Sequence, residues 1–388
     1  MSDWIKAEEY CVSVFDGTHD TPKVTETGYK LVTSKNILSN TLDLNSAYFI
    51  SEEDFVNINK RSKVKQYDIL FSMIGTVGSL YFETSDTIDY AIKNIGVFSS
   101  GDKEKAEWLY YYLQSSYAQQ YIKRYLNGAV QKFLPLKGLR EFPVPQFNKE
   151  LHNRIKILLN IDQKIQINNQ INQELEAMAK TLYDYWFVQF DFLDQNGNPY
   201  KSSGGKMVYN PELKREIPER WGVEKLSHFL TIKNGKDHKH LQDGKFAVYG
   251  SGGVMRTVTD YLYSGESILF PRKGTLNNVM YVNEKFWTVD TMFYSEVNKN
   301  NSALYVFYSV KDIDFNKLNT GTGVPSMTSS ILYDLSIIVP EENILEKFNT
   351  IVKRNYETIK LNNIQNQELT QLRDWLLPML MNGQVKVE

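Results

Sequence analysis

The stretch NNQINQELEAMA at positions 168–179 returns as NNIQNQELTQLR at 362–373. Asn168, Asn169, Asn172, Gln173, Glu174 and Leu175 meet Asn362, Asn363, Asn366, Gln367, Glu368 and Leu369 at one offset, 362 − 168 = 194 residues. The match extends to Ile157 with Ile351, Ile165 with Ile359 and Leu182 with Leu376. Upstream the offset becomes 339 − 144 = 195, pairing Val144-Pro145 with Val339-Pro340 and Gly128 with Gly323. Earlier still, YDILFSMIGTVGSLYF parallels GESILFPRKGTLNNVMYV and aligns Gly75-Thr76 with Gly274-Thr275. An internal repeat of this length means that the chain is built twice on one plan. Each copy has the same order: an irregular, strand-rich region, then a long helix that starts after a proline.

The strand reading rests on short runs rich in Val, Ile, Tyr and Phe at 68–74, 267–270, 279–282 and 336–339, bounded by Gly, Asn and Asp. A helical stretch is expected near 103–126 in the first copy and near 302–310 in the second. The first long helix should start near Lys149, because the prolines of FPVPQF block helix upstream. Running to about Phe187, it would hold roughly 37 residues and span about 55 Å. The second should run from about Asn343 to Pro378. Helices of this length usually pair.

One seam on the first helix reads Ile161, Ile165, Asn168, Asn172, Leu175, Ala179, Leu182, in steps of four and three. That is the heptad rhythm. Its counterpart is Asn355, Ile359, Asn362, Asn366, Leu369, Arg373, Leu376. Asn is a poor helix former, but inside a seam it fixes register at some cost in stability. Antiparallel packing would let the amide groups meet and would give the two copies a pseudo-two-fold relation. The competing arrangement turns these amides to solvent and buries the stripe of Ile167 and Ile171 instead.

Bulk properties exclude several classes. The 388 residues suffice for two or three domains, with 42% hydrophobic and 23% charged residues, as in soluble globular proteins. No apolar run approaches a membrane span, and the N-terminus lacks an apolar signal core. Cys11 is the only cysteine, so no disulfide framework is expected and the thiol reads as buried and inert. A cytoplasmic protein is the expectation. The net charge of −2 argues against a general nucleic-acid coat.

Catalytic signals are absent from the sequence: SSGGK lacks phosphate-loop spacing, YGSGG does not open an amphipathic helix, and no nucleophile elbow occurs. His238 and His240 have no further spaced ligand, and DGTHD at 16–20 reads as a turn, so no metal site is expected. Basic clusters recur in both copies: NKRSKVK at 59–65, and KNGKDHKHLQDGK at 233–245 joined by Arg272-Lys273. Such groups suit phosphate oxygens, and neighbouring polar side chains can read base edges. Solvated charged loops are the other reading. DQNGNPYKSSGGK at 194–206 reads as an exposed connector.

Taken in order, DGTHDTP, VYGSGGVMR, ILFPRKGTLNNVMYV and FWTVDTMFY, with the helices bearing QELEAMAKTLYDYWF and QELTQLRDWLLPMLMNGQV, resemble the specificity subunits of Type I restriction–modification systems. The likeness covers nearly the whole chain. It implies an α+β fold with two pseudo-symmetric, strand-rich target recognition domains separated by two long antiparallel helices. The expected layout is a first recognition domain at 1–148, a first long helix at 149–188, a linker at 189–216, a second recognition domain at 217–342, and a second helix with its tail at 343–388. Each domain would read one half of a bipartite, asymmetric site on double-stranded DNA. The helix pair would set the unread spacer and dock two modification (methyltransferase) subunits. The chain itself would be non-catalytic and carry no cofactor. S-adenosylmethionine, ATP and Mg would belong to modification and restriction (motor–nuclease) partners, whose holoenzyme is an adenine methyltransferase and ATP-dependent endonuclease.

Candidate DNA contacts, chosen by charge, loop position and repeat equivalence, are Thr18, His19, Lys35, Lys60, Arg61 and Gln131 in the first copy. In the second they are Lys236, His238, Lys239, Ser251, Arg256, Arg272, Lys273 and Ser326. Other readings remain open at this point: a subunit of the same fold in a methylation-only or phage-defence complex, a coiled-coil scaffold without a DNA role, and a methyltransferase with built-in recognition domains.

Overall fold

A computed structural model of the chain describes residues 4–38, 41–126, 133–321, 323–381 and 384. The backbone forms two compact units, Met1–Ile167 with Gln365–Glu388, and Asn168–Ile364. The long helices are Lys149–Tyr183 and Glu342–Met381, and each contributes one segment to each unit. The first ends four residues before Phe187, in a π-helical turn at Asp184–Val188. The second runs past the expected stop and contains Pro378. A proline this near a helix end removes little beyond one backbone hydrogen bond.

The first unit has an antiparallel sheet in the order Ser13–Asp16, Ile95–Ser99, Ile69–Ser72, Leu80–Phe82. A second sheet places Tyr29–Thr33 between antiparallel Tyr48–Ile50 and parallel Tyr90–Lys93. The second unit repeats this plan as one sheet: Leu230–Asn234, Met292–Val297, Tyr263–Pro271, Met280–Thr288, Asp243–Gly250, Gly253–Val258. The parallel pair recurs between Asp243–Gly250 and Met280–Thr288. What is one strand at Met280–Thr288 is two in the first unit, because a polar turn intervenes, in which Glu83 Oε1 accepts the Ser85 N–H at 2.8 Å.

Each unit also ties its start to the segment before a long helix. Trp4–Lys6 pairs with Pro143–Pro145, and Gly222–Lys225 with Ser336–Val339. The two prolines suit the first pair because it is a two-stranded ribbon with free edges. The helical stretch expected at 103–126 is two helices, Lys103–Gln114 and Ser116–Leu126, broken where the Ser115 N–H turns back to the Tyr112 carbonyl. Its counterpart is the helix Ala303–Lys311.

Each core draws on both long helices. In the first unit Phe71, Phe98 and Phe142 pack edge to face beside Ile155 and Leu158 of one helix and Leu380 of the other. In the second, Phe187 meets Phe348 at 5.0 Å and Tyr305 at 4.6 Å between ring centres. Full burial of one such side chain is worth roughly 1.5–3 kcal/mol, so the helix segments are integral to each core. Cys11 is buried, and burial first, then the Asp68 charge, pushes its thiol up to about 12, which keeps it protonated and inert.

The seam is the heptad one. Ile161, Asn168, Asn172 and Ala179 are buried, and Ile165, Leu175 and Leu182 are half-buried. On the other helix Asn355, Ile359, Asn362, Asn366, Leu369, Arg373 and Leu376 are half-buried. Ile167 and Ile171, the competing stripe, are 41% and 40% exposed. Within the second unit Asn172 Nδ2 donates to Asn363 Oδ1 at 3.0 Å, and Asn362 Nδ2 donates to Asn172 Oδ1 at 2.8 Å. Asn355 Nδ2 reaches the Leu175 carbonyl at 3.3 Å, which makes the pairing antiparallel. Within the first unit Arg373 Nη1 donates to Asp162 Oδ1 at 2.9 Å, and Tyr111 Oη to Asp162 Oδ2 at 2.5 Å.

The connector at 194–206 is mostly exposed, as its composition suggests, but its turns are well defined. Asp194 Oδ1 accepts the N–H groups of Asn196 and Asn198 at 2.8 and 2.9 Å. The hairpin Met207–Asn210 with Arg215–Pro218 follows, and Phe192 stacks on Tyr200 and Trp221. Among the described residues no helix is long and apolar enough to cross a membrane.

Removing one partner of a half-buried ion pair should cost more than the roughly 1 kcal/mol of a surface pair and less than the roughly 3–5 kcal/mol of a fully buried one. Arg373→Met is therefore expected to lower unfolding stability by about 2 kcal/mol. Adding Asp162→Asn should cost little more. Additive losses in a double-mutant cycle by denaturant unfolding would count against the pair.

Candidate nucleic-acid interface

In the first unit the register places Asp16 beside Gly96, and Ile95 beside Ser72, so the loops after Asp16, before Ile95 and after Ser72 leave the same end of the sheet. Backbone bonds lock them together. Gly17 N–H donates to the Ile95 carbonyl at 2.9 Å, Thr18 N–H to Ile92 at 3.1 Å, and Asn94 N–H to Thr18 at 3.1 Å. Gly17 is required here, since a Cβ would lie 2.4 Å from the Ile92 carbonyl oxygen.

On this frame His19 bonds Asn94 Oδ1 through Nδ1 at 2.8 Å and Asp16 Oδ2 through Nε2 at 3.0 Å. Arg61 Nη2 donates to the Gly17 carbonyl at 3.4 Å and lies 3.9 Å from Asp16 Oδ1. Lys35 is exposed on the short turn Ser34–Asn36, where Ser34 Oγ donates to the Asn94 carbonyl at 3.1 Å. Thr18, His19, Lys35 and Arg61 are thus drawn to one place. Lys60 lies beside Arg61 but donates to Asn57 on its own helix. Gln131 lies outside the described residues.

Sequence reasoning missed Lys93 and Asn94. Lys93 Nζ donates to Thr21 Oγ1, and Asn94 sits at φ 55°, a left-handed position that Asn tolerates. A single Asn between two strand runs, at a sharp reversal, was the available signal.

The second unit builds the same frame. Gly235 N–H donates to the Met292 carbonyl and Lys236 N–H to Thr288, both at 2.9 Å. A Cβ on Gly235 would lie 2.0 Å from the Val289 carbonyl oxygen. Arg272 N–H donates to Thr291 at 2.8 Å, Met327 N–H to the Arg272 carbonyl at 2.9 Å, and Gly274 N–H to Pro325 at 3.1 Å. Ser251 joins through its carbonyl, which accepts from Asn278 Nδ2 at 2.8 Å. Arg272, Lys273 and Ser326 line a pocket of about 230 Å³ with Asn234, Phe293 and Ser329. The Arg272 guanidinium stands 5.8 Å from the centre of the Phe293 ring.

Lys236, Ser251, Arg272, Lys273 and Ser326 therefore gather. His238 and Lys239 lie in the loop that follows, with Lys239 N–H donating to Asp237 Oδ1. Arg256 is bonded to its own hairpin. Its guanidinium donates to the Leu241 carbonyl at 2.9 Å and Asp243 Oδ1 at 2.8 Å, so it braces its own hairpin. The sequence could not reveal this, because the partners lie thirteen and more residues away across a strand pair. His240 packs on Trp287, and among the described residues no three His, Cys, Asp or Glu side chains cluster as metal ligands.

Two like frames with unlike side chains correspond to a double family match. The model of the Type I restriction modification DNA specificity domain matches residues 20–177 and again 218–371. The chain belongs to this family. It is a specificity subunit of a Type I restriction–modification system. The MjaIX specificity subunit of Methanocaldococcus jannaschii is 29% identical over 315 residues, covering 73% of this chain and 70% of that protein. The HindI specificity subunit of Haemophilus influenzae is 21% identical, covering 84% of this chain and 88% of its own. The crystal structure of the specificity subunit from M. genitalium has the same fold, with a TM-score of 0.53, 17% identity, and coverage of 97% of this chain and 96% of that one.

Because Arg256 in this specificity subunit braces protein, Arg256→Ala should leave the salt dependence of DNA binding unchanged. Asp243 is 90% exposed, so the stability loss should stay within about 1 kcal/mol. A shallower salt slope in a titration series would return Arg256 to the DNA surface.

Proposed function

We propose that each unit reads one half of a bipartite, asymmetric site on double-stranded DNA. The observation that carries this reading is the frame built twice from backbone bonds and fitted with different side chains. The first surface offers Thr18, His19, Asn94 and Arg61, and the second Lys236, Arg272, Lys273 and Ser326. Equal frames with unequal chemistry suit two different half-sites. The proposed recognition domains are 1–148 and 217–342, with 149–188 and 343–388 as the long helices and 189–216 as the linker.

In this reading the helix pair sets the unread spacer and docks two methyltransferase subunits. The chain is non-catalytic. Methyl transfer from S-adenosylmethionine belongs to those partners, and ATP- and Mg-dependent translocation and cleavage belong to restriction subunits. The net charge of −2 supports a subunit that grips DNA only through local basic groups and its partners.

Methylation mapping of DNA from cells that express the chain with its modification subunits tests the proposal. Two short motifs at a fixed spacing should carry the methylation. A single continuous motif would refute the bipartite reading. Arg272→Ala should weaken binding and reduce the salt slope by about 0.9, the value of one phosphate contact. Matched seven-residue insertions after Ile167 and Ile364 keep the heptad phase and add about 10 Å of helix, or roughly three base pairs. The mapped spacer should lengthen accordingly while both half-sites persist.

A further inference from the structure

Each unit carries one isolated bridge beside its candidate surface, Ile74 opposite Phe133 in the first and Lys273 opposite Ser326 in the second. These are the same place in the fold. The Leu134 N–H donates to the Met73 carbonyl at 3.0 Å just as the Met327 N–H donates to Arg272 at 2.9 Å. A glycine in the left-handed region follows in both, Gly75 at φ 77° and Gly274 at φ 89°. In the second unit the bridge is a cation and a hydroxyl that line a pocket. In the first it is two large apolar side chains, 44% and 42% exposed.

Their location makes this exposure informative. The turn after Ser72 leaves the same end of the sheet as Asp16 and Asn94, the end at which His19, Asn94 and Arg61 gather. Two neighbouring exposed apolar side chains, where the sibling unit has a cation and a hydroxyl, are available to an apolar partner. In the major groove the one apolar feature a base presents is the thymine C5 methyl. A side chain that packs on it discriminates without any change in charge.

Resting on the reading that each unit takes one half-site, we propose that Ile74 and Phe133 form an apolar reader of a thymine methyl in the half-site of the first unit. The second unit has no such reader, because Lys273 and Ser326 occupy the equivalent bridge. Base choice at this point of the two half-sites then rests on different physics. One unit uses burial of a methyl group, which is insensitive to salt, and the other uses charge, which is not.

The test uses the full chain assembled with its modification subunits and duplexes carrying the mapped site. Each thymine in turn is replaced by deoxyuridine, which lacks only the methyl. One position in the first unit's half-site should weaken binding roughly fourfold, the value of one buried methyl. The variant Ile74→Ser with Phe133→Ser should lose that dependence, keep its salt slope, and keep full discrimination at the other half-site. The unchanged salt slope shows that the first unit still engages DNA, and Phe133→Leu should restore part of the methyl dependence. The proposal is overturned if no deoxyuridine position matters, if the first half-site contains no thymine, or if the double serine variant still senses the methyl. If the wild-type complex does not prefer the mapped duplex at all, the half-site reading itself fails, which is a separate result.

Discussion

The antiparallel pairing of the two long helices is the constraint on which both units depend. The first unit is discontinuous in sequence, and each core needs a piece of both helices. In the second unit the pairing is keyed by amides, with Asn172 donating to Asn363 and accepting from Asn362. A one-residue slip would strand the buried Asn172 amide without its partners, at roughly 1–3 kcal/mol. In the first unit an ion pair takes over. Arg373 stands at the seam position equivalent to Ala179, and burial works against its charge while the Asp162 carboxylate outweighs that and raises its affinity for the proton. The repeat is therefore not a copy in its chemistry. One crossing is fixed by neutral hydrogen bonds and the other by charge.

The proposed recognition surfaces are held in a different way. Their loops are joined by backbone hydrogen bonds around Gly17 and Gly235, where no Cβ fits. Bonds between N–H and carbonyl groups do not depend on side-chain identity. The frame can therefore persist while the side chains on it change, as they have between Thr18-His19 and Lys236-Asp237. A fold that specifies two different DNA half-sites needs this separation between what holds the loop and what the loop presents.

Much of the architecture was legible in the sequence because it is written in periodic or repeated signals. The 194-residue offset exposed the duplication, and steps of four and three pointed to the seam of Asn168 and Asn172, which is buried while the competing stripe of Ile167 and Ile171 is exposed. The surface was legible only in part. Charge and glycine content led to Thr18, His19, Arg272 and Lys273 in the two loop clusters, and to Arg61, whose side chain reaches the first of them from a helix. Charge also led to Arg256, whose bonds to Leu241 and Asp243 are made by strand pairing that no local pattern announces. Asn94 was missed because its role comes from a left-handed backbone and a contact with His19, 75 residues away.

The bridges at Ile74–Phe133 and Lys273–Ser326 show why comparing the units reveals more than either alone. An exposed phenylalanine next to a loop is unremarkable by itself, since much protein surface is apolar. Placed at the position where its sibling carries a cation and a hydroxyl, it becomes a substitution in a controlled background: same backbone bonds, same left-handed glycine, different chemistry. Differences that the frame does not need are the ones available to specificity. By this criterion the bridge residues are grouped with His19 and Asn94 on the proposed reading surface, whereas Gly17 and Gly235, alike in both units, belong to the frame that holds it.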